Sequence, residues 1–190
     1  MRMRHRPAYT GTELEEVYPA PHCHWNFPDH VLRVEHTISI ARQLMKMRFN
    51  QAHLMHLLDN YSVADLACGD ATIPRALCKD PVLGDFAAGY PIQGSIEETI
   101  EEIDPVRLFV FSEIAEHLDN PDKVLCQIRK RADCLIMSTP IGEFWNPHPE
   151  HYWGWDMDAV KDMLVKARWE PVIWGTDYMP NAAFQYWGCW

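Results

Sequence analysis

Apolar positions along the chain change their spacing about a third of the way in. Val31, Val34, Ile38, Ala41 and Met45 recur every three or four residues, the spacing of one helical face, behind a Pro28-Asp29 start. A second helical stretch is predicted from Gln51 to Leu58. Beyond it the stripe gives way to short runs that read as strands: Tyr61 to Leu66, Val82 to Asp85, Tyr90 to Gln93, Leu108 to Phe111, Cys134 to Thr139, Val172 to Trp174 and Ala183 to Trp190. Helical segments lie between many of them. These are Ile73 to Lys79, Ile96 to Ile103 behind a Ser95/Glu98 capping box, a helix to Arg131 capped by Asn120-Pro121-Asp122, and Met157 to Arg168 with Val160, Met163, Leu164 and Ala167 on one face. A run apolar throughout, as Leu108 to Phe111 is, suits a parallel strand buried on both faces. The alternation predicts an open α/β sheet, and the short link at Pro180-Asn181 predicts that the seventh strand returns antiparallel to the sixth. Residues 1 to about 27, rich in proline and aromatics with no period, read as an irregular arm folded over the site. One compact domain is expected, with arm and helices over 1–60 and the sheet core over 61–190.

Composition narrows the classes of function. At 190 residues and 47% hydrophobic, the chain can bury a sizeable core. A net charge of -10 and a pI near 5.4 disfavour sequence-independent binding to nucleic acid or to an anionic membrane, while leaving room for a patch that holds an RNA end. Six cysteines without a CxxC pair fit a reducing cytoplasm. Arg2, Arg4 and Arg6 are followed by no apolar segment of the signal-peptide kind, and no run of ~18 apolar residues occurs, so neither export nor a membrane span is expected. His22, Cys23 and His24 lack a second pair at zinc-finger spacing. His53 and His56 read as solvated or core-edge side chains.

Candidate chemistry gathers after the strand ends. Val63 to Pro74 reads as a strand ending in Asp65, a turn at Gly69 and a helix start at Pro74, in outline a nucleotide-binding turn without the GxGxxG of dinucleotide enzymes. Asp85 lies twenty positions beyond Asp65, where a doubly wound sheet presents a carboxylate to ribose hydroxyls. After the fourth strand, Glu113, Glu116 and His117 are spaced three and four apart, so a helical turn would point two carboxylates and an imidazole one way. After the fifth, the long stretch from Ser138 to Trp155 carries Trp145, His148, His151, Tyr152, Trp153 and Trp155, and either histidine can complete a metal site.

The Asp65 to Ala71 turn resembles the first motif of the class I S-adenosylmethionine-dependent methyltransferases. Asp65, Cys68 and Gly69 match, and Ala67 and Ala71 stand in place of the first and third glycines. The resemblance implies a Rossmann-like seven-stranded methyltransferase fold with an antiparallel last strand and an N-terminal helical extension. It also implies S-adenosylmethionine bound by Asp65, Ala67, Cys68, Gly69, Asp85, Ser95, Ile96 and Ser112, with Ser95 and Ile96 beside the adenine. The acid-x-x-acid-His pattern, with Thr139-Pro140, Glu143-Phe144 and then Glu150-His151-Tyr152, looks like two metal-dependent O-methyltransferase groups. They are the small-RNA 3′-terminal 2′-O-methyltransferases and, for the first cluster, the ubiquinone-pathway O-methyltransferases. This resemblance spans roughly Tyr61 to Trp169 and puts metal ligands on Glu113, Glu116, His117 and His151. Two carboxylates and two imidazoles would suit Mn²⁺, Fe²⁺, Co²⁺ or Zn²⁺ better than Mg²⁺. The expected reaction is methyl transfer to a hydroxyl of a vicinal diol on a small molecule, a glycan or an RNA end. Without metal, His117, His148 or His151 serves as general base. An S-adenosylmethionine-binding sensor or assembly subunit without turnover is the reading from another class.

Overall fold

A computed structural model describes residues 1–26, 28–49, 62–180 and 182–190. The predicted helix from Gln51 to Leu58, with His53 and His56, lies outside them, as do Tyr61 and Asn181. In chain order the elements are β1 (Arg2–Arg4), α1 (Gly11–Val17), α2 (Pro28–Phe49), β2 (Val63–Asp65), α3 (Thr72–Leu77), β3 (Val82–Asp85), β4 (Ile92–Gln93), α4 (Ile96–Thr99), β5 (Val106–Ser112), α5 (Pro121–Arg131), β6 (Ala132–Pro140), β7 (Trp153–Trp155), α6 (Met157–Lys166), β8 (Pro171–Tyr178) and β9 (Ala183–Cys189). Short 3-10 turns occupy His24–Asn26 and Ala115–His117.

Seven strands form one sheet in the order β4-β3-β2-β5-β6-β9-β8. Neighbours from β4 to β6 run parallel, and β9 is antiparallel to both β6 and β8, as the short link before Ala183 predicts. Strand periodicity splits the core. Phe109 and Phe111 of β5 and Leu135 and Met137 of β6 pack with α5 and α6 on one face. Leu108 and Val110, with Cys134 and Ile136, pack with Val34, Ala41, Leu44 and Met45 of α2 on the other. The strand order reverses between β2 and β5, where an open α/β sheet forms its ligand crevice.

The arm is more regular than its sequence suggests. β1 pairs antiparallel with β7, Met3 opposite Gly154, and α1 has a Thr10/Glu13 capping box. Nothing local announces β1, because its partner lies some 150 residues away. α4 is shorter than its apolar spacing predicts and ends at Thr99; Ser95 caps it through the Glu97 N–H instead of a box with Glu98. Pro105 keeps the segment before β5 from continuing as helix. β4 begins at Ile92, after a Gly89 with φ 135 and a proline that lacks an N–H. Among the described residues no helix is long and apolar enough to cross a membrane.

Candidate functional site

The turn after β2 is latched to β3. Gly69 adopts φ 53, and its N–H donates to Asp85 Oδ2 at 2.8 Å. Asp85 Oδ1 accepts from the Ala87 N–H at 2.9 Å, and the Cys68 N–H reaches the Gly84 carbonyl at 3.1 Å. Burial raises the Asp85 pKa against those donors. Asp65 is buried, accepts from the Ala67 N–H at 3.1 Å, and is pushed up to about 8 by desolvation. Ala71, in place of the third glycine of the resembled motif, takes the left-handed φ of 59 that a glycine takes without strain, and α3 starts there. Tyr90, read from sequence only as strand, donates its hydroxyl to the Gly69 carbonyl at 2.6 Å. Ser95 caps α4, and Ile96 is buried in the core.

The arm closes over this turn. A Cβ on Gly69 would stand 2.8 Å from the His22 carbonyl. The His24 N–H donates to Asp70 Oδ2 at 3.0 Å and Trp25 Nε1 to Thr72 Oγ1 at 3.2 Å. Beneath lies Arg33, fully buried on α2, which donates to Ser112 Oγ at 2.6 Å and to His24 Nδ1 at 3.1 Å. Its Nε has no hydrogen-bond partner among the described residues and stands 4.0 Å from Glu113 Oε2. The sequence reading missed Arg33; the available signal was a cation inside the apolar stripe of the helix. His22, His24 and His30 bring one nitrogen each within 4.8 Å, without Cys23. A guanidinium only donates, so His24 Nδ1 accepts, and its proton sits on Nε2, 3.9 Å from Asp70 Oδ1. With Nδ1 held by Arg33 and the proton on Nε2, His24 offers no free lone pair to a metal in this arrangement.

A second cluster opens between β5 and β6. Glu116, His117 and His151 bring ligand atoms within 4.8 Å of one another. Glu113 does not join them, contrary to expectation. The segment is a 3-10 turn from Ala115 instead of a longer helix, and Glu113 before it has φ 55, which turns its carboxylate to Ser138 Oγ at 3.0 Å and towards Arg33. Burial raises the Glu113 pKa, and the Arg33 charge opposes that rise. Ser112 bonds Ser138 Oγ at 2.7 Å in the same network. Glu116 is 1% exposed; Oε2 accepts from Thr139 Oγ1 at 2.9 Å, and Oε1 has no partner among the described residues. Burial and then the Glu113 charge push its carboxyl up to about 8.

Burial, and then the nearby His151, push His117 down to about 3, so its ring is neutral. Burial pulls the His151 pKa down as well, but its hydrogen bond from Nδ1 to Glu143, with the charges of Glu116, Glu143 and Glu113, outweighs that and leaves it raised. Glu143 was not among the expected site residues. The loop is seated by the Tyr152 N–H on the Glu116 carbonyl at 2.7 Å and the His151 N–H on the His148 carbonyl at 3.0 Å. His148 is exposed and stays outside the cluster, its ring centroid 4.8 Å from that of His151. Of the loop aromatics, Tyr152 and Trp155 are buried, Trp153 lies under Arg2, and Trp145 is 87% exposed. A buried carboxylate oxygen without a partner beside two imidazoles fits a borderline divalent cation.

No protein-family model matches the chain, and no curated relative does. Solved structures do. The magnesium protoporphyrin IX methyltransferase of Synechocystis, with bound SAH, is similar over 84% of this chain and 84% of its own, at TM-score 0.63 and 11% identity. The plantazolicin methyltransferase BamL, in complex with a triazolic desmethylPZN analog and SAH, covers 87% and 92% at TM-score 0.57 and 12% identity. The 1,6-didemethyltoxoflavin-N1-methyltransferase of Burkholderia thailandensis, with S-adenosylhomocysteine, covers 97% and 92% at TM-score 0.57 and 14% identity. The chain therefore has the Rossmann-like fold of these methyltransferases.

Proposed function

We propose that the chain is an S-adenosylmethionine-dependent methyltransferase that transfers a methyl group to a hydroxyl, with a divalent cation held by Glu116, His117 and His151. The observation that carries this reading is a pairing at neighbouring strand ends of the sheet. A Gly69 turn latched to Asp85 lies at one set of strand ends, and Glu116 Oε1, without a partner among the described residues, stands beside two imidazoles at the next. Structures that share the fold hold S-adenosylhomocysteine (SAH), which supports the cofactor. Asp85 would accept from the ribose hydroxyls while keeping its hold on Gly69. Arg33, buried and with its Nε unused, supplies the positive charge for the methionine carboxylate.

A divalent cation, when bound, lowers the pKa of a coordinated hydroxyl and so supplies an anionic nucleophile. Glu116 Oε1 and the two imidazoles would hold it, and Thr139 and Glu143 would orient Glu116 and His151 from behind. This donor set suits Mn²⁺, Fe²⁺, Co²⁺ or Zn²⁺ over Mg²⁺. Two adjacent hydroxyls can share one ion, which favours a vicinal diol on a sugar, a catechol or an RNA 3′ end. The charge of -10 favours the small acceptors. The exposed Trp145 offers a ring for stacking against them.

One observation favours a second reading, a metal-independent transferase. His151, held by Glu143, has a raised pKa and the geometry of an oriented general base. Calorimetry with S-adenosylmethionine on the wild type, Asp85→Ala and Arg33→Met tests the cofactor assignments: each variant is expected to bind at least ~10-fold more weakly, about 1.4 kcal/mol. Unchanged affinity in both would remove them. Turnover on catechols, sugars and RNA ends, with Mn²⁺ or with a chelator, separates the two chemistries. Activity that survives chelation and falls in Glu143→Gln selects the histidine base. Cofactor binding without turnover on any acceptor selects a sensor.

A further inference from the structure

The arm carries one side chain into the metal-fitting cluster. α1 is anchored at its start, where the His5 N–H reaches the Tyr152 carbonyl and the Tyr9 N–H the Tyr152 hydroxyl, both at 2.8 Å. It ends at Tyr18, whose N–H caps the Leu14 carbonyl at 2.8 Å. From there the Tyr18 hydroxyl sits between two groups, 3.0 Å from Glu150 Oε2 and 3.0 Å from His117 Nδ1, edge-on to the imidazole at 87°.

Proton counting decides the direction of these bonds. A carboxylate only accepts, so the single Tyr18 proton goes to Glu150. Towards His117 the Tyr18 oxygen is then left with lone pairs alone, and Nδ1 must donate. A neutral imidazole carries one N–H, so a proton on Nδ1 leaves Nε2 bare. We infer that Glu150 and Tyr18 together hold His117 in the Nδ1–H tautomer, making Nε2 the atom that takes the cation or a substrate proton. Both are positioning residues, and the inference rests on the assignment of His117 to the site. The arm thereby sets the chemistry of the cluster as well as covering it.

The test reads the tautomer directly, in metal-free protein. Two-bond ¹H–¹⁵N spectra of the wild type at neutral pH are expected to show His117 protonated at Nδ1. Tyr18→Phe removes the acceptor. Glu150→Ala, on a partly exposed loop, frees the tyrosine to donate to Nδ1 instead. Both variants are expected to move the proton wholly or partly to Nε2, and a thermal melt confirms that each is folded. A wild-type ring protonated at Nε2, or an Nδ1 proton that persists in both variants, overturns the inference. Titration with Co²⁺ alone, followed by its visible absorption, should show affinity falling ~10- to 100-fold in the variants, as loss of an orienting partner does. A shifted tautomer with unchanged Co²⁺ affinity overturns the positioning role. A wild type that takes up no Co²⁺ while the tautomer result stands removes the metal reading and leaves Nε2 of His117 as a proton acceptor.

Discussion

Three backbone positions with left-handed dihedrals decide where the side chains of the site stand: Gly69 at φ 53, Ala71 at φ 59 and Glu113 at φ 55. For a residue with a Cβ that conformation costs about 1–2 kcal/mol, and it persists where the surroundings fix it. At Ala71 this explains why the resembled family uses glycine and how alanine still serves. At Glu113 it breaks the three-and-four spacing on which the sequence reading relied, since that relation holds only within one continuous helix. The proximity of Glu116, His117 and His151, three of the four residues expected as ligands, was therefore legible as a pattern of residue types, whereas the turn of Glu113 towards Arg33 was not. Gly69 is where the two demands coincide, because a side chain there would be strained and would also meet the His22 carbonyl at 2.8 Å. Gly69→Ala should lower stability by about 1–2 kcal/mol and lift the arm. Urea melts give the first effect, and faster amide exchange over residues 22–26 gives the second; unchanged exchange there would mean that the arm is not seated on the turn.

Among elements, those with a local signature were readable and those made by remote pairing were not. α2, α5 and α6 follow from spacing and caps, and β5 and β6 from continuous apolar runs, because the buried face of each is written in consecutive residues. β1 and β7 have three residues each and exist only through each other, so the first segment read as an irregular arm and the second as part of a loop. Their junction is nonetheless what holds the loop bearing Glu143 and His151. Salt bridges from Arg2 to Asp122 and from Arg4 to Asp119 fasten β1 from the outside, and Arg2 lies 4.1 Å over the Trp153 ring. Gly154 marks the crossing: a Cβ there would lie 2.5 Å from the Glu143 carbonyl and 2.5 Å from His5 Nε2. Gly154→Ala should therefore part β1 from β7, at a cost of about 1–3 kcal/mol, the range for overpacking. Hydrogen exchange should rise over residues 2–5 and 143–155 and leave β5 and β6 protected; a uniform rise across the sheet would show that the junction belongs to the main cooperative unit.

At the scale of the whole molecule, the fold gathers its buried ionisable groups at one end of the sheet, and their opposite shifts combine into a pH dependence of stability. Burial lifts Asp65 from 3.8 and Glu116 from 4.5, each to about 8. It lowers His24 and His117 from 6.5 to about 3, and His30 to about 4. A carboxyl whose folded pKa is raised contributes stability that is complete below its unfolded value and is lost as pH climbs towards the folded one. A histidine whose folded pKa is depressed does the reverse, losing its contribution as pH falls below 6.5. Between roughly pH 4.5 and 6.5 the two sets therefore oppose each other and the stability curve is shallow. Above pH 6.5 His24, His30 and His117 are neutral in both states, and Asp65 and Glu116 set a falling slope to which the raised His151, Glu113 and Asp85 add in the same direction. From Asp65 and Glu116 alone, metal-free protein should then lose on the order of 2–4 kcal/mol between pH 6.5 and 8, two groups at about 1.4 kcal/mol per unit. Urea melts in a chelator at three pH values across that window measure it. Asp65→Asn should remove about half of that two-carboxyl loss, and saturating Mn²⁺ should remove the Glu116 share, because an ion on Oε1 stands where the proton stood. Stability that rose with pH across this window would mean that these carboxyls are charged in the folded chain, and the cluster would then have no proton for a cation to displace.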